Sequence, residues 1–106
     1  MSANRRAQIE AMLTEEPNDP ELRYMLAMEY ASAGDDSGAV GCFEELIRRT
    51  PDYAPAYHMA ARTLERLNRL TEAKDLLRRG IPLALSQGNQ HAAGEMQQLL
   101  EMLEMD

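Results

Sequence analysis

Tryptophan is missing from this sequence, phenylalanine occurs once, and aromatic residues together make up 5% of 106 residues. A core built from this chain must therefore rest on Leu, Met, Ala and Ile. Lysine is nearly missing too: ten of the eleven basic residues are arginine, and only Lys74 is lysine. Eighteen Asp and Glu outnumber the basic residues, for a net charge of -7. That balance argues against a general nucleic-acid binder, which needs a basic surface to displace counterions. An acidic, Lys-poor surface fits a high-salt cytoplasm. Cys42 is the single cysteine, so no intramolecular disulfide can form. No run approaches the roughly 18 apolar residues of a spanning helix. The N-terminal "MSANRRAQIEAML" has a basic start without the long apolar stretch of a signal peptide. The chain is expected to be soluble and cytoplasmic, with no membrane and no nucleic acid as partner.

What is present is a hydrophobic share of 44% in a length suited to one domain, and a repeat. Residues 20–53 align with residues 54–87 at an offset of 34. Ala39 then maps to Ala73, Phe43 to Leu77, Tyr30 to Leu64, Gly34 to Asn68 and Ser37 to Thr71. A fixed period of this size is the signature of a helical solenoid. Each unit holds two helical patterns. Leu22, Leu26 and Tyr30 recur at helical spacing, and Ala39, Phe43, Leu46 and Ile47 do the same on a second segment.

The stretch "AGDDSGAVGCFEEL", residues 33 to 46, has three glycines and two adjacent aspartates beside the only cysteine. It does not fit a P-loop, because no Lys follows Gly38 or Gly41. It does not fit a dinucleotide loop, because a helical pattern rather than a strand precedes it. An EF-hand loop needs alternating oxygen ligands and a twelfth-position Glu, which it lacks. It reads instead as a turn between helices. Gly34 takes the left-handed conformation that ends the first helix, Ser37 is the expected N-cap of the next, and Asp35 and Asp36 sit near its positive end. The second unit repeats the turn, with Asn68 in place of Gly34 and Thr71 as the expected cap.

These units resemble the tetratricopeptide repeat (TPR), whose pattern is W-x2-L-G-x2-Y, then A-x3-F, then P. Unit one reads Arg23-x2-Leu26-Ala27-x2-Tyr30, then Ala39-x3-Phe43, then Pro51. Unit two reads Tyr57-x2-Ala60-Ala61-x2-Leu64, then Ala73-x3-Leu77. Unit two departs at its end, where Leu85 stands for Pro51 and Pro82 falls inside the helical run, so a kink or break is expected near Ile81-Pro82. Ile9, Met12 and Pro17 fall one period before Phe43, Leu46 and Pro51, so the chain opens with the second helix of an incomplete unit. After Gly88, Asn89 can cap a last helix in which Ala92, Met96, Leu99, Leu100 and Leu103 form one apolar stripe. The expected organisation is a single all-α domain, a right-handed TPR-like α-solenoid of about six antiparallel helices. Residues 3–17 form a half-repeat helix, 20–53 repeat one, 54–87 repeat two and 89–105 a C-terminal capping helix.

The resemblance implies a concave groove lined by the first helix of each unit. Its positions here are Glu21, Tyr24, Met28 and Ser32, then Pro55, His58, Arg62, Glu65 and Arg66. Helical spacing independently sets His58, Arg62, Glu65 and Arg66 opposite Ala60, Ala61 and Leu64. The functional reading is a non-catalytic groove for a protein or peptide partner. Tyr24 offers an aromatic platform, Met28 an adaptable apolar surface, and Arg62 and Arg66 a pair of carboxylate binders. The alternative is a solvated face with an internal Glu65-Arg62 pair. The dicarboxylate-clamp members of the family use Lys and Asn on these helices, so the resemblance does not extend to chaperone-tail binding. A second function is structural: a weak homodimer through the last helix, with Met96, Leu99 and Leu103 as its contacts and the groove idle. No metal is expected, since His58 and His91 lie on different helices without ligand spacing. No cofactor is expected either. Cys42 reads as a small hydrophobe, and no nucleophile-base arrangement of an enzyme is present.

Overall fold

The computed structural model describes residues 2–105. Among them run six helices and no strand: α1 (Ser2–Glu15), α2 (Pro20–Ser32), α3 (Asp36–Arg49), α4 (Ala54–Arg66), α5 (Leu70–Ser86) and α6 (Gln90–Glu104). They fall into two compact units that divide between Tyr53 and Ala54. In the first, α2 packs against both α1 and α3; in the second, α5 packs against both α4 and α6.

Three helix ends share one geometry. Gly34, Asn68 and Gly88 have φ of 82°, 59° and 77°. In each turn the residue after the left-handed position donates its N–H back to a carbonyl near the helix end: Asp35 to Tyr30, Arg69 to Leu64 and Asn89 to Ala84, all at 2.9 Å. These are Schellman closures, which satisfy carbonyls a helix end would otherwise leave unpaired. The backbone demand can be isolated at Gly34, where an added Cβ meets nothing within 4 Å. Gly34→Val is expected to cost about 1–2 kcal/mol, the steric cost of a left-handed L-residue. Urea unfolding followed by circular dichroism measures it; an unchanged midpoint would contradict the turn assignment.

The N-caps differ from the sequence expectation. Asp35, not Ser37, caps α3: its Oδ1 accepts from the Gly38 N–H at 2.9 Å. The closure on Tyr30 fixes where the turn ends, so the helix starts before Ser37 can serve. Thr71 is likewise inside α5. The cap position there belongs to Arg69, which makes no capping bond from its side chain but pairs with Glu72 at 2.6 Å. Asp19 and Asn89 do cap, accepting from Glu21 and Leu22 and from Ala92.

In the first unit Ile9, Leu13 and Leu22 form one cluster with Leu26 packed on it, while Ala27, Ala39, Phe43 and Leu46 are fully buried. In the second unit Ala61, Ala73, Leu77 and Ala84 are fully buried. The small residues at the repeat positions thus lie inside. Pro51 follows α3 directly after its last helical residue, Arg49, and Thr50.

Pro82 does not break α5, which runs through it to Ser86. Its ring is exposed, so the cost of a lost donor and of crowding at the Arg78 carbonyl stays local to α5 and disturbs no core packing. Neighbouring Gly80 has a different use. It is buried, and a Cβ there would stand 2.8 Å from both Tyr57 Cβ of α4 and Met96 Sδ of α6. Glycine lets three helices approach at that point.

Candidate functional site

On α2, Tyr24 and Met28 lie one turn apart and both are half-buried. The Tyr24 ring meets the Phe43 ring edge-on at 6.0 Å and the Tyr53 ring at 5.7 Å. Burial raises the pKa of its phenol. Tyr24 is therefore partly a packing residue, and only its outer edge is available to a ligand. Glu21 and Ser32 are exposed.

On α4, Arg62 and Arg66 are exposed, Glu65 is half-exposed, and His58 is half-buried, while Ala60, Ala61 and Leu64 point into the core. The helical spacing thus separates the faces as expected. Arg66 also reaches the buried Thr63 hydroxyl at 3.4 Å. Burial holds the His58 pKa below its ordinary value; Glu95 on α6 opposes this and Arg62 adds to it. The unfolded chain then binds a proton more readily than the folded one. The His58 contribution to stability is complete above about pH 6.5 and is lost as pH falls through the lowered folded value. His58→Gln is expected to flatten the stability curve between neutral pH and about pH 5. Parallel curves for parent and variant would show that the ring titrates as if unfolded.

The α6 stripe divides differently from the self-association expectation. Met96 and Leu103 are 1% and 5% exposed, and Leu99 is half-buried. Packing of α6 on α5 takes them inside. The exposed apolar side chains of this region are Met102 at 61% and Met105 at 83%. His91 on the same helix pairs with Glu95 at 3.5 Å. Among the described residues no group of three or more His, Cys, Asp or Glu side chains is placed to hold a metal ion, and no helix is long and apolar enough to cross a membrane.

Two features were not read from the sequence. Glu45 on α3 binds Arg48 and Arg49, and these hydrogen bonds hold its carboxyl down to about 2. Arg49 reaches on to the Asn18 side chain at 2.8 Å, tying α3 to the α1–α2 turn. The second is a cleft of about 300 Å3 between α2 and α3. Its sequence signal is the departure at Arg23, where the repeat pattern has an aromatic, opposite Gly38 and Gly41.

Tetratricopeptide repeat models match residues 20–63 and 54–86. The chain is similar to the tetratricopeptide repeat domain protein from Salinibacter ruber, at 36% identity over 81% of this chain and 96% of that one, with a TM-score of 0.77. It is similar in fold to PcrH in complex with the chaperone binding region of PopD, at 16% identity, 97% of this chain, 78% of that one and a TM-score of 0.90. It is similar in fold as well to the TPR2B domain of yeast Sti1 in its pHsp70 complex, at 18% identity, 97% of this chain, 82% of that one and a TM-score of 0.89. No curated protein matches the sequence. The fold class is the all-α helical-repeat solenoid.

Proposed function

Because the chain belongs to the tetratricopeptide repeat family, we propose that it is a non-catalytic interaction module that binds a peptide or protein segment on the accessible faces of α2 and α4. On the first unit, Met28 and the free edge of Tyr24 offer apolar contact. On the second, Arg62 and Arg66 offer guanidinium forks to carboxylates or backbone carbonyls, with His58 and Glu65 beside them as further polar contacts. The observation that carries this reading is the fold shared with PcrH and with the Sti1 domain, whose structures hold the chaperone binding region of PopD and pHsp70.

The test compares the parent with a Met28→Glu, Arg62→Glu, Arg66→Glu variant in affinity capture from a lysate of the protein's own source. Tyr24 stays intact because it packs on Phe43, so the variant is expected to melt with the parent. A partner held by the parent and lost by the variant supports the reading. Partners that survive all three changes overturn it.

A second reading, association of two copies through α6, has one supporting observation: the exposure of Met102 and Met105. It predicts a dimer by light scattering that Met102→Glu disperses. A strict monomer across the concentration range would remove it.

A further inference from the structure

We propose that the cleft between α2 and α3 of the first unit receives an aromatic side chain of a partner segment, held beside the guanidinium of Arg23. This goes beyond the reading above, since Met28 and the residues of α4 take no part in it. Arg23, Leu26 and Tyr30 form the α2 wall of the cleft, and Gly38, Gly41, Cys42 and Glu45 form the α3 wall, the Glu45 carboxylate being paired with Arg48 and Arg49. Its volume of about 300 Å3 suits one aromatic ring.

The internal repeat says what belongs there. One period on, Arg23 becomes Tyr57, Gly41 becomes Asp75, Cys42 becomes Leu76 and Glu45 becomes Arg79. Tyr57 is buried, 4% exposed, and the Arg79 guanidinium lies 5.5 Å from its ring centroid. The second unit thus supplies both a ring and a cation at these positions. At the same four positions the first unit supplies a cation, a glycine, a thiol and a carboxylate, but no ring.

Electrostatics favour the same occupant. An aromatic face carries negative quadrupole density and a guanidinium is its complement. The unit already uses that pairing once: the Arg6 guanidinium sits 3.9 Å over the Tyr30 ring, and its Nε is shut from solvent with no hydrogen-bond partner. Tyr30 in turn lines the cleft, so an inserted ring would meet one ring beside the Arg23 cation. Burial raises the Cys42 pKa against the pull of Arg23 and Arg6, which leaves a neutral, apolar thiol in the wall.

The experiment titrates N-acetyl-tryptophanamide into the isotope-labelled full chain and reads backbone amide shifts. The expected result is a saturable shift of the Leu26, Gly38, Gly41 and Cys42 amides. Acetylglycinamide, which lacks the ring, should leave them in place. Gly41→Leu fills the cleft from a position where an added Cβ meets nothing within 4 Å, and it should weaken the binding by about tenfold or more. Should that variant fail to fold, Cys42→Leu, which copies Leu76 of the second unit, takes its place. Shifts that centre elsewhere, that do not saturate, or that persist with the same midpoint in the filled variant overturn the proposal.

Discussion

Replacing Phe43 with alanine is expected to remove about 3–5 kcal/mol of stability, the cost of emptying a phenylalanine site in a closed core. With total stabilities of about 5–15 kcal/mol for folded domains, that is a large share. The melting temperature should fall by on the order of 10–20 °C. Phe43 is the only phenylalanine of the chain and is fully buried. Its ring meets the Tyr24 ring edge-on, so truncation takes away an aromatic pair as well as buried area, and that pair contributes about 0.5–1.5 kcal/mol beyond area. Phe43→Leu gives a graded comparison. The second unit already places Leu77 at the equivalent position, also fully buried, so leucine there should cost far less than alanine. Arg62→Glu, on the exposed face of α4, should leave melting nearly unchanged, since exposed substitutions usually stay within about 0.5 kcal/mol. Urea unfolding of the three variants separates them. A loss below about 1 kcal/mol for Phe43→Ala, on the scale of an exposed site, would mean the ring does not anchor the first unit.

The repeat was legible because its strongest constraints are local. A left-handed backbone position admits glycine or asparagine and little else, so Gly34 and Asn68 announce two helix ends one period apart. The alternation of small and large residues around Ala39, Phe43, Ala73 and Leu77 marks the packed faces, because each such face needs only a 3.6-residue spacing to be seen. The caps were half legible. Asp35, Asp36 and Ser37 can all serve as N-caps by side-chain chemistry. The choice among them is made by a backbone bond from Asp35 to Tyr30, which spacing alone does not reveal.

The candidate site was legible to the same degree. The α4 face followed from helical periodicity: Arg62 and Arg66 are exposed opposite the core, while His58 is half-buried. Tyr24 was read as a platform because nothing in the sequence brings it to Tyr53, whose approach depends on the turn after α3. On α6 the stripe through Met96 and Leu103 was visible, but a stripe has the same pattern whether it faces its own unit or a second copy. The packing of α6 on α5 decides it, and that contact is tertiary. Gly80 is the clearest case of a residue whose meaning lies elsewhere. Beside Pro82 it suggests a weak point in a helix; in three dimensions it is a point of close approach.

That reversal gives the second large effect. Gly80→Leu is expected to destabilise the second unit by about 3 kcal/mol or more, the upper range for overpacking a filled core. A Cβ at residue 80 would lie 2.8 Å from Tyr57 Cβ and 2.8 Å from Met96 Sδ. Met96 can swing its thioether aside. Tyr57 Cβ cannot yield without moving the α4 backbone, so the helices must separate or the side chain must distort. Gly80→Ala sets two opposing terms against each other. Helix propensity favours alanine by about 1 kcal/mol, while the contact with Tyr57 costs about 1–3 kcal/mol, so the net change should still be a loss. Pro82→Ala, two residues along the same helix, should act in the opposite direction. It restores a backbone donor in the middle of α5 at an exposed position, and an interior proline costs a helix up to about 3 kcal/mol. If glycine and proline were together a hinge, both replacements would stiffen α5 and both would raise the melting temperature. If Gly80 is a contact point and Pro82 a tolerated interruption, the first lowers it and the second raises it. Differential scanning calorimetry of Gly80→Ala, Gly80→Leu and Pro82→Ala distinguishes the two by sign, and a rise for either Gly80 variant would refute the close approach.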